Sequence, residues 1–269
     1  MENITLKVNR RKVAKRQVGE LVKWLKRQGK KINIIWDKDE VLPGGTDILI
    51  VMGGDGTFLG GARMAAPLGI PVLGIDFGGL GFLSEVDAKE ATLYLKKIFD
   101  GHYNVEERMV LECTINRGEE MHGPFLAVND VVISKTSVRL LRLKVHINNE
   151  YFHEYPGDGV IVSSSTGSTA YSLSAGGPIV SPELGVMVIT SICPHTLFAR
   201  SIVISGDDEI TVAIPPDRND VVLTIDGQIE HPLMGGDVLY VRKSEHTAKL
   251  IRVKKPRFYE TVRDKFRLT

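Results

Sequence analysis

The chain has 269 residues, of which 43% are hydrophobic and 25% charged, and 34 basic against 33 acidic side chains leave a formal net charge of +1. This length suits one large domain or two, and the even charge gives no indication of a nucleic-acid or membrane partner. Two cysteines, Cys113 and Cys193, exclude a disulfide framework and a zinc knuckle and favour the cytoplasm, and no apolar run is long enough for a secretion signal or a membrane span.

The first hundred residues predict alternating strands and helices. Short apolar runs at 5–8, 32–36, 47–52 and 71–75 are typical of strands that are buried on both faces. Apolar residues at helical spacing predict three helices, which lie at about 13–28, 57–64 and 88–99. This order predicts an α/β domain with a mostly parallel sheet over residues 1–102.

The pattern changes to antiparallel β-structure from about residue 103. Apolar and polar residues alternate over 143–147, and Asp226-Gly227 is a strong hairpin signal. We therefore predict a β-rich domain over residues 103–255. Residues 256–269 are predicted to form a helix that packs back on the first domain.

The segment Gly53-Gly54-Asp55-Gly56-Thr57 follows a predicted buried strand and begins a helix. Backbone amides and the positive helix end then face a bound anion. Asp55 would repel phosphate unless it holds Mg²⁺ or accepts the proton of an attacking hydroxyl, and the alternative is a glycine turn with a solvated carboxylate. Leu59 stands where a dinucleotide fingerprint requires glycine, and no Walker motif is present, so a Rossmann dehydrogenase or a Walker ATPase is poorly supported.

A second glycine-rich loop, residues 76–82, follows the next predicted strand. It should lie beside the first loop at the carboxyl edge of the sheet, where two such loops suit a ligand with two phosphate-bearing parts. The alternative is an ordinary strand-to-helix connection with Phe82 in the core.

Two further segments suit a nucleoside. Nine hydroxyl side chains between Ser163 and Ser174 suit ribose, amide and base edges, and the ring of Tyr171 suits base stacking; capping and turns would explain two or three of the hydroxyls. Asn129-Asp130 interrupts a strand-like run, and an amide beside a carboxylate can hold a cis-diol, although a bulge or a strand end would also explain this pair.

The first loop alone resembles a superfamily that includes 6-phosphofructokinases, lipid kinases and NAD kinases. Together with Asn129-Asp130, residues 166–171 and their Gly-Gly-Pro sequel, residues 193–197 and Asp226-Gly227-Gln228, the chain resembles NAD kinases over nearly its whole length. The resemblance implies a homodimer or homotetramer. It also implies that ATP or polyphosphate, with Mg²⁺ or another divalent cation, phosphorylates the adenosine ribose 2′-hydroxyl of NAD to give NADP.

The resemblance assigns roles to individual residues. Asp55 activates the 2′-hydroxyl or holds Mg²⁺, while Gly54, Gly56 and Thr57 line the phosphates of ATP. The residues implied in NAD binding are Asp55, Gly56, Phe82 on the adenine side, Asn129 and Asp130 at the adenosine ribose, Asp158 at the nicotinamide half, and Thr169, Ala170, Tyr171 and Ser174 along the wall of the site.

Two departures from the family pattern and two alternatives remain. Ser164-Ser165 replaces a common Thr-Pro, and Asp130 is the shorter of the two acids found at its position, so both changes are expected to loosen the NAD site or alter the preference between NAD and NADH. The alternatives are a related kinase of a sugar phosphate or lipid, and a non-catalytic dinucleotide sensor. The hydroxyl-rich segment argues against the first and the retention of Asp55 against the second.

Both cysteines are expected to be inert in apolar strands.

Overall fold

The computed structural model describes residues 1–36, 41–78, 81–196, 199–254 and 258–266. The chain divides into two compact units. The first comprises Met1–Glu107 and Thr247–Thr269, and the second comprises Arg108–His246. The predicted boundaries after residues 102 and 255 stay predictions.

The first unit contains the predicted alternation of strands and helices. Its elements are β1 (Asn3–Val8), α1 (Lys15–Arg27), β2 (Lys31–Trp36), β3 (Ile48–Gly53), α2 (Asp55–Ala65), β4 (Val72–Asp76), β5 (Val86–Asp87) and α3 (Ala91–Phe99). The strands lie in the order β2, β1, β3, β4, β5, and each neighbouring pair is parallel. The predicted parallel α/β domain is therefore confirmed, with α2 beginning at Asp55 rather than at Thr57.

The second unit is antiparallel, as predicted. The chain continues through β6 (Asn104–Arg117), β7 (Glu120–Ala127), β8 (Asp130–Lys135), β9 (Leu141–Ile147), β10 (Glu150–Gly157), β11 (Gly159–Ser164), α4 (Tyr171–Ser174), β12 (Val186–Ile192), β13 (Ile202–Ser205), β14 (Ile210–Ala213), β15 (Val221–Ile225), β16 (Ile229–Leu233), β17 (Val238–Arg252) and α5 (Phe258–Phe266). One antiparallel sheet has the order β13, β12, β11, β8, β15, β16. The strands β10, β9, β14 and β17 form a second antiparallel series.

Strand β17 contributes to both units. Its residues 247–252 belong to the first unit, where Leu250 pairs in parallel with Val72 of β4. This places Arg252, the last residue of β17, in the unit that also contains the first glycine loop.

Burial distinguishes the central strands of the first unit from its edge. Every residue of β3 is buried, as its continuous apolar pattern predicts. The same expectation is wrong for β2, where Ile35 is buried but Ile34 is 39% exposed. The reason is that β2 has a described neighbour, β1, on one side only, so it lies at an edge of the described sheet.

Turns and core positions in the second unit follow the sequence pattern closely. The inward residues Leu141, Leu143 and Val145 of β9 are buried, while the residues between them are exposed. Asp226 and Gly227 have φ values of 49° and 64°, which are the positive values that a tight hairpin turn between β15 and β16 requires.

The two cysteines have different environments. Cys113 is buried in β6, and burial raises the pKa of its thiol to about 12. Cys193 is exposed and has a φ of 43°, directly after the end of β12. The expectation of an apolar strand environment is therefore correct for Cys113 and wrong for Cys193.

Candidate active site

The first glycine loop joins β3 to α2 by the shortest possible turn. Gly53 ends β3, Gly54 is extended with φ −119° and ψ −173°, and Asp55 is the first residue of the helix. A Cβ atom on Gly53 would lie 2.6 Å from Oγ1 of Thr57, so this close packing requires glycine. The predicted arrangement, with backbone amides and a carboxylate at a helix N-terminus, is confirmed.

Backbone donors from a neighbouring segment hold the carboxylate of Asp55. The amide of Phe82 donates to Oδ2 at 2.9 Å, and the amides of Leu83 and Ser84 donate to Oδ1 at 3.3 and 3.4 Å. The hydroxyl of Ser84 adds a fourth donor to Oδ1 at 3.3 Å. Three consecutive amides therefore fix the direction in which this acid points.

Gly81 lies against the same carboxylate. A Cβ atom at this position would lie 1.9 Å from Oδ1 and 2.1 Å from Oδ2 of Asp55, a separation that no real contact allows. The second glycine loop thus requires glycine at this position so that Asp55 can reach the amides that follow it.

The predicted neighbourhood of the two glycine loops is also observed. Gly53 and Asp76 are register partners at the ends of β3 and β4, and the amide of Phe77 donates to the carbonyl of Gly53 at 3.2 Å. Two residues of the second loop, Gly79 and Leu80, lie outside the described residues.

Phe82 contacts the C-terminal helix. Its ring centroid lies 6.3 Å from that of Phe258 and 6.2 Å from that of Phe266, and Nζ of Lys265 lies 5.4 Å from it. The implied contact between Phe82 and adenine stays a prediction, as does the packing of the whole 256–269 segment, of which residues 256–257 and 267–269 lie outside the described residues.

The turn after β1 adds residues that the sequence analysis missed. Asn9 donates through Nδ2 to Oγ1 of Thr57 at 2.9 Å, and its Oδ1 accepts the amides of Arg11 and Lys12. A Cβ atom on Gly54 would lie 2.8 Å from Nζ of Lys12, so the ammonium group sits directly over the glycine loop. The sequence does not predict a role for Lys12, because no local signal distinguishes it from its basic neighbours.

A cavity of about 330 Å³ lies in the second unit and contains several predicted residues. It is lined by Asn129, Asp130, Val132, Ser134, Ala170, Tyr171, Thr224, Asp226 and Gly227. Four predicted NAD-binding residues, Asn129, Asp130, Ala170 and Tyr171, are thus brought together. Asp158, Thr169 and Ser174 are not among the lining residues.

Asp226 holds the Asn129-Asp130 segment in place. Its carboxylate accepts the amides of Val128, Asn129 and Asp130 at 3.1, 2.7 and 3.1 Å. Asn129 lies between the end of β7 and the start of β8, so a strand end accounts for the position of this pair, and its contact with a ribose stays a prediction. The Asp226-Gly227 signal in the sequence predicts a hairpin turn and not the distant contacts that the side chain of Asp226 makes.

Asp130 has an unusual charge state for an aspartate. Burial, and then the negative charge of Asp226, raises the pKa of Asp130 to about 7. Its carboxyl group is therefore partly protonated near neutral pH and can donate a hydrogen bond into the cavity.

The hydroxyl-rich segment is used mainly for internal bonding. Seven of its nine hydroxyl groups bond to protein atoms, and these belong to Ser163, Ser164, Ser165, Thr166, Ser168, Thr169 and Ser172. Several of these bonds go to distant residues, such as those of Ser164 to Val128 and of Ser172 to Thr190, so tertiary packing as well as local turns accounts for hydroxyls that were expected to face a nucleoside. Tyr171 and Ser174 are exposed at the surface of this segment.

Asp158 forms an ion pair that the sequence analysis did not identify. Nζ of Lys135 lies 2.8 Å from its Oδ1. A hydrogen bond from Lys135, together with a smaller contribution from the thiol of Cys193, lowers the pKa of Asp158. The carboxylate is therefore ionised and paired at neutral pH.

Comparison with known families gives two matches, in chain order. A model described as the ATP-NAD kinase N-terminal domain matches residues 4–103, and one described as the ATP-NAD kinase C-terminal domain matches residues 128–253. None of the described helices is long and apolar enough to span a membrane.

Individual proteins give the same result. The NAD kinase of Caldanaerobacter subterraneus subsp. tengcongensis is 46% identical over 240 residues, which cover 89% of this chain and 82% of that protein. The NAD kinase of Desulforamulus reducens is 39% identical over 284 residues, which cover 99% of this chain and 98% of that protein.

Two solved structures have the same fold. Yeast NADH kinase in complex with NADH superposes with a TM-score of 0.88 at 26% identity, covering 100% of this chain and 88% of that chain. An NAD kinase from Archaeoglobus fulgidus in complex with ATP has a TM-score of 0.82 at 24% identity, covering 98% of both chains. With both domain models matched and close relatives covering most of its length, the chain belongs to the NAD kinase family and is a phosphotransferase.

Proposed function

We propose that this chain transfers the γ-phosphoryl group of ATP to the 2′-hydroxyl of the adenosine ribose of NAD. The O–P bond to the β-phosphate breaks, a new bond forms to the 2′-oxygen, and the hydroxyl proton leaves, which gives NADP and ADP. The observation that carries the proposal is the β3–α2 junction, where glycine amides and the oriented carboxylate of Asp55 lie at one helix N-terminus.

Asp55 is the proposed acceptor of the hydroxyl proton, or the ligand of the metal beside it. Its two oxygen atoms are oriented before any substrate binds, because three amides and one hydroxyl bond to them. Such preorganisation lowers the cost of aligning the reacting groups, which is the main task of a phosphoryl-transfer enzyme.

The proposed donor site uses Gly54, Gly56 and Thr57, with Lys12 as an additional cation. The positive end of α2 and the ammonium group of Lys12 both favour phosphate oxygens near Gly54. The related Archaeoglobus fulgidus structure contains ATP, which supports ATP as the donor; polyphosphate remains the alternative donor.

The proposed NAD contacts include the cavity of the second unit. A volume of about 330 Å³ is at the lower end of ligand pockets and suits one nucleoside of NAD rather than the whole dinucleotide. Asn129 and Asp130 would hold the adenosine ribose, and Tyr171 would stack on a ring. The remaining proposed contacts are Asp55, Gly56, Phe82, Asp158, Thr169, Ala170 and Ser174. Acceptance of NADH is a variant of the same proposal, supported by the yeast neighbour.

Mg²⁺ fits the residues present. Within the described part of the chain no three His, Cys, Asp or Glu side chains form a cage, but Mg²⁺ in kinases needs only one or two carboxylates beside substrate phosphates. Asp55 and the hydroxyl of Thr57 would hold the ion, which supplies neutralisation of the charge on the transferred group.

We also propose that the enzyme is a cytoplasmic homodimer or homotetramer that has no nucleic-acid or membrane partner. Light scattering of the purified protein measures its oligomeric state directly.

The test is NADP formation from NAD with Mg²⁺, run in parallel with ATP, polyphosphate and no donor, and measured with an NADP-specific dehydrogenase. NADP in either donor reaction, with Asp55→Asn as the inactive control, supports the proposal. A panel of sugar phosphates and lipids with labelled ATP tests the related kinases. NAD binding in calorimetry without any turnover would instead identify a dinucleotide sensor.

A further inference from the structure

Residues 82–84, whose amides orient Asp55, are themselves anchored to the first unit by other contacts. Residues 82–84 present their amides to Asp55, while the next residue, Glu85, turns away and is buried. The amide of Glu85 donates to the carbonyl of Gly74 in β4 at 3.1 Å, which ties this segment to the sheet.

Arg252 binds this segment from the end of β17. Its NH1 donates to the carbonyl of Leu83 at 3.3 Å and to Oε2 of Glu85 at 3.0 Å, and its Nε donates to Oε2 of Glu106 at 2.5 Å. One guanidinium group therefore joins this segment, through two acceptors, to Glu106 in β6.

Glu85 completes the connection with its second oxygen. Oε1 accepts the amides of Val253 and Lys254 at 2.9 and 2.8 Å. The side chains of Arg252 and Glu85 are only 14% and 10% exposed, so water screens this pair weakly. Charge-assisted bonds in such surroundings are short and directional, and the planar fork of arginine matches several acceptors at once.

We propose that Arg252, acting with Glu85, is a positioning residue for Asp55. Arg252 holds the carbonyl of Leu83, and the amide of the same residue donates to Asp55, so the placement of the guanidinium group determines the direction of the donors on Asp55. This inference rests on the proposed function, because Asp55 is the group that Arg252 orients.

A merely structural ion pair would give a different result. Loss of such a pair lowers the stability of the unit but leaves the orientation of Asp55, and hence kcat of the folded enzyme, unchanged. If Arg252 instead held Asp55 in an unproductive orientation, loss of Arg252 would raise kcat. Positioning predicts that kcat falls while both KM values stay near those of the wild type.

The test compares Arg252→Met, Arg252→Lys and Glu85→Gln with the control Arg242→Met. Arg242 lies on the same strand and pairs with Glu112 at 2.7 Å, but it makes none of the contacts described for Arg252. Kinetics are measured with NAD and ATP varied separately, at temperatures well below the melting point of each variant. We expect kcat to fall at least roughly tenfold in Arg252→Met, with partial recovery in Arg252→Lys and no change in Arg242→Met.

Glu85→Gln keeps an acceptor for the two amides and removes the charge that faces Arg252, so it should show a smaller fall in kcat in a stable protein. A kcat within twofold of wild type in folded Arg252→Met and Glu85→Gln, or an increase, would overturn the proposal.

Hydrogen exchange at the amides of Phe82, Leu83 and Ser84 gives a second readout that needs no substrate. Protection should decrease in Arg252→Met and not in Arg242→Met, and unchanged protection would also overturn the proposal. Absence of NADP from the wild type would count against the proposed function alone, since the exchange measurement still tests how Arg252 holds this segment.

Discussion

Two aspartates, one in each unit, bind three consecutive backbone amides of a distant segment. Asp55 accepts the amides of residues 82–84, and Asp226 accepts those of residues 128–130. Asp226 is 8% exposed and sits in a hairpin turn, whereas Asp55 is half-buried at the N-terminus of a helix among glycines. The same hydrogen-bonding pattern therefore orients an accessible acid in one place and holds the proposed NAD-binding segment in the other.

The strongest test of this difference is Asp55→Asn. The amide side chain keeps the size of aspartate but loses the charge and the ability to accept a proton. We expect kcat to fall by roughly 10²–10⁴-fold, while calorimetry still detects NAD binding. Near-normal turnover of this variant would show that Asp55 takes no part in the reaction. Asp55 and Asp226 would then both be structural residues only.

Gly81→Ala tests whether the orientation of Asp55 matters as well as its presence. The new Cβ would lie 1.9 Å from Oδ1, so the carboxylate must move. A displacement of about 1 Å at a reacting group can cost roughly 10²-fold in rate, and we expect a fall of that order in kcat.

The matched control for this variant is Gly78→Ala. Among the described residues, no atom outside its chain neighbours lies within 4 Å of a Cβ atom built on Gly78. Equal activity of the two alanine variants would contradict the role assigned to the packing of Gly81 on Asp55.

Asp226→Asn should act mainly on stability. Asparagine replaces one of the two acceptor oxygens of Asp226 with an NH₂ group, which cannot accept, so at least one of the three amide donors loses its partner. We expect the free energy of unfolding to fall by about 3 kcal/mol and KM for NAD to rise, with a smaller change in kcat. Chemical denaturation and steady-state kinetics measure these quantities. An Asp226→Asn enzyme with normal stability but no turnover would contradict the structural role of Asp226 and indicate a role in the reaction.

Asp130 predicts a pH dependence of stability. Its pKa is raised to about 7 in the folded protein from 3.8, so between about pH 4 and pH 7 the folded chain binds this proton more tightly than the unfolded chain. The contribution of Asp130 to stability is therefore present below this window and is lost as pH rises, by up to about 1.4 kcal/mol per pH unit.

The measurement is urea denaturation of the wild type and of Asp130→Asn at several pH values across that window. The difference between the two proteins should change in favour of the variant as pH increases. Parallel stability curves would contradict an elevated pKa for Asp130.

Lys12→Met should have the smallest effect. Removing a cation over Gly54 should raise KM for ATP by about tenfold and leave KM for NAD unchanged, because a phosphate contact of this kind contributes about 1–2 kcal/mol. Lys15→Met, on the exposed start of α1, is the control. An equal effect of both substitutions would indicate general electrostatic attraction rather than a contact at the glycine loop.

Local patterns in the sequence predicted much of the fold. The uninterrupted apolar run of β3, the glycines after it and the presence of helix α2 are predicted because each depends on residues that are neighbours in the chain. The hairpin at Asp226-Gly227 was identified for the same reason, since positive φ angles favour these residue types. The edge position of β2 was missed because its sequence resembles that of a buried strand, and only the sheet order shows that it has one described neighbour.

The sequence by itself determined the α/β and antiparallel character of the two regions, the glycine loop that begins a helix at Asp55 and the resemblance to NAD kinases. Only the tertiary structure decided where the side chains of Asp55, Asp226 and Arg252 point, and that most of the hydroxyls after Ser163 bond to the protein. The physical reason is range: Arg252 bonds to Leu83 across 169 positions of the chain. Partners at that distance are selected by packing and burial, which periodicity and motif spacing do not encode.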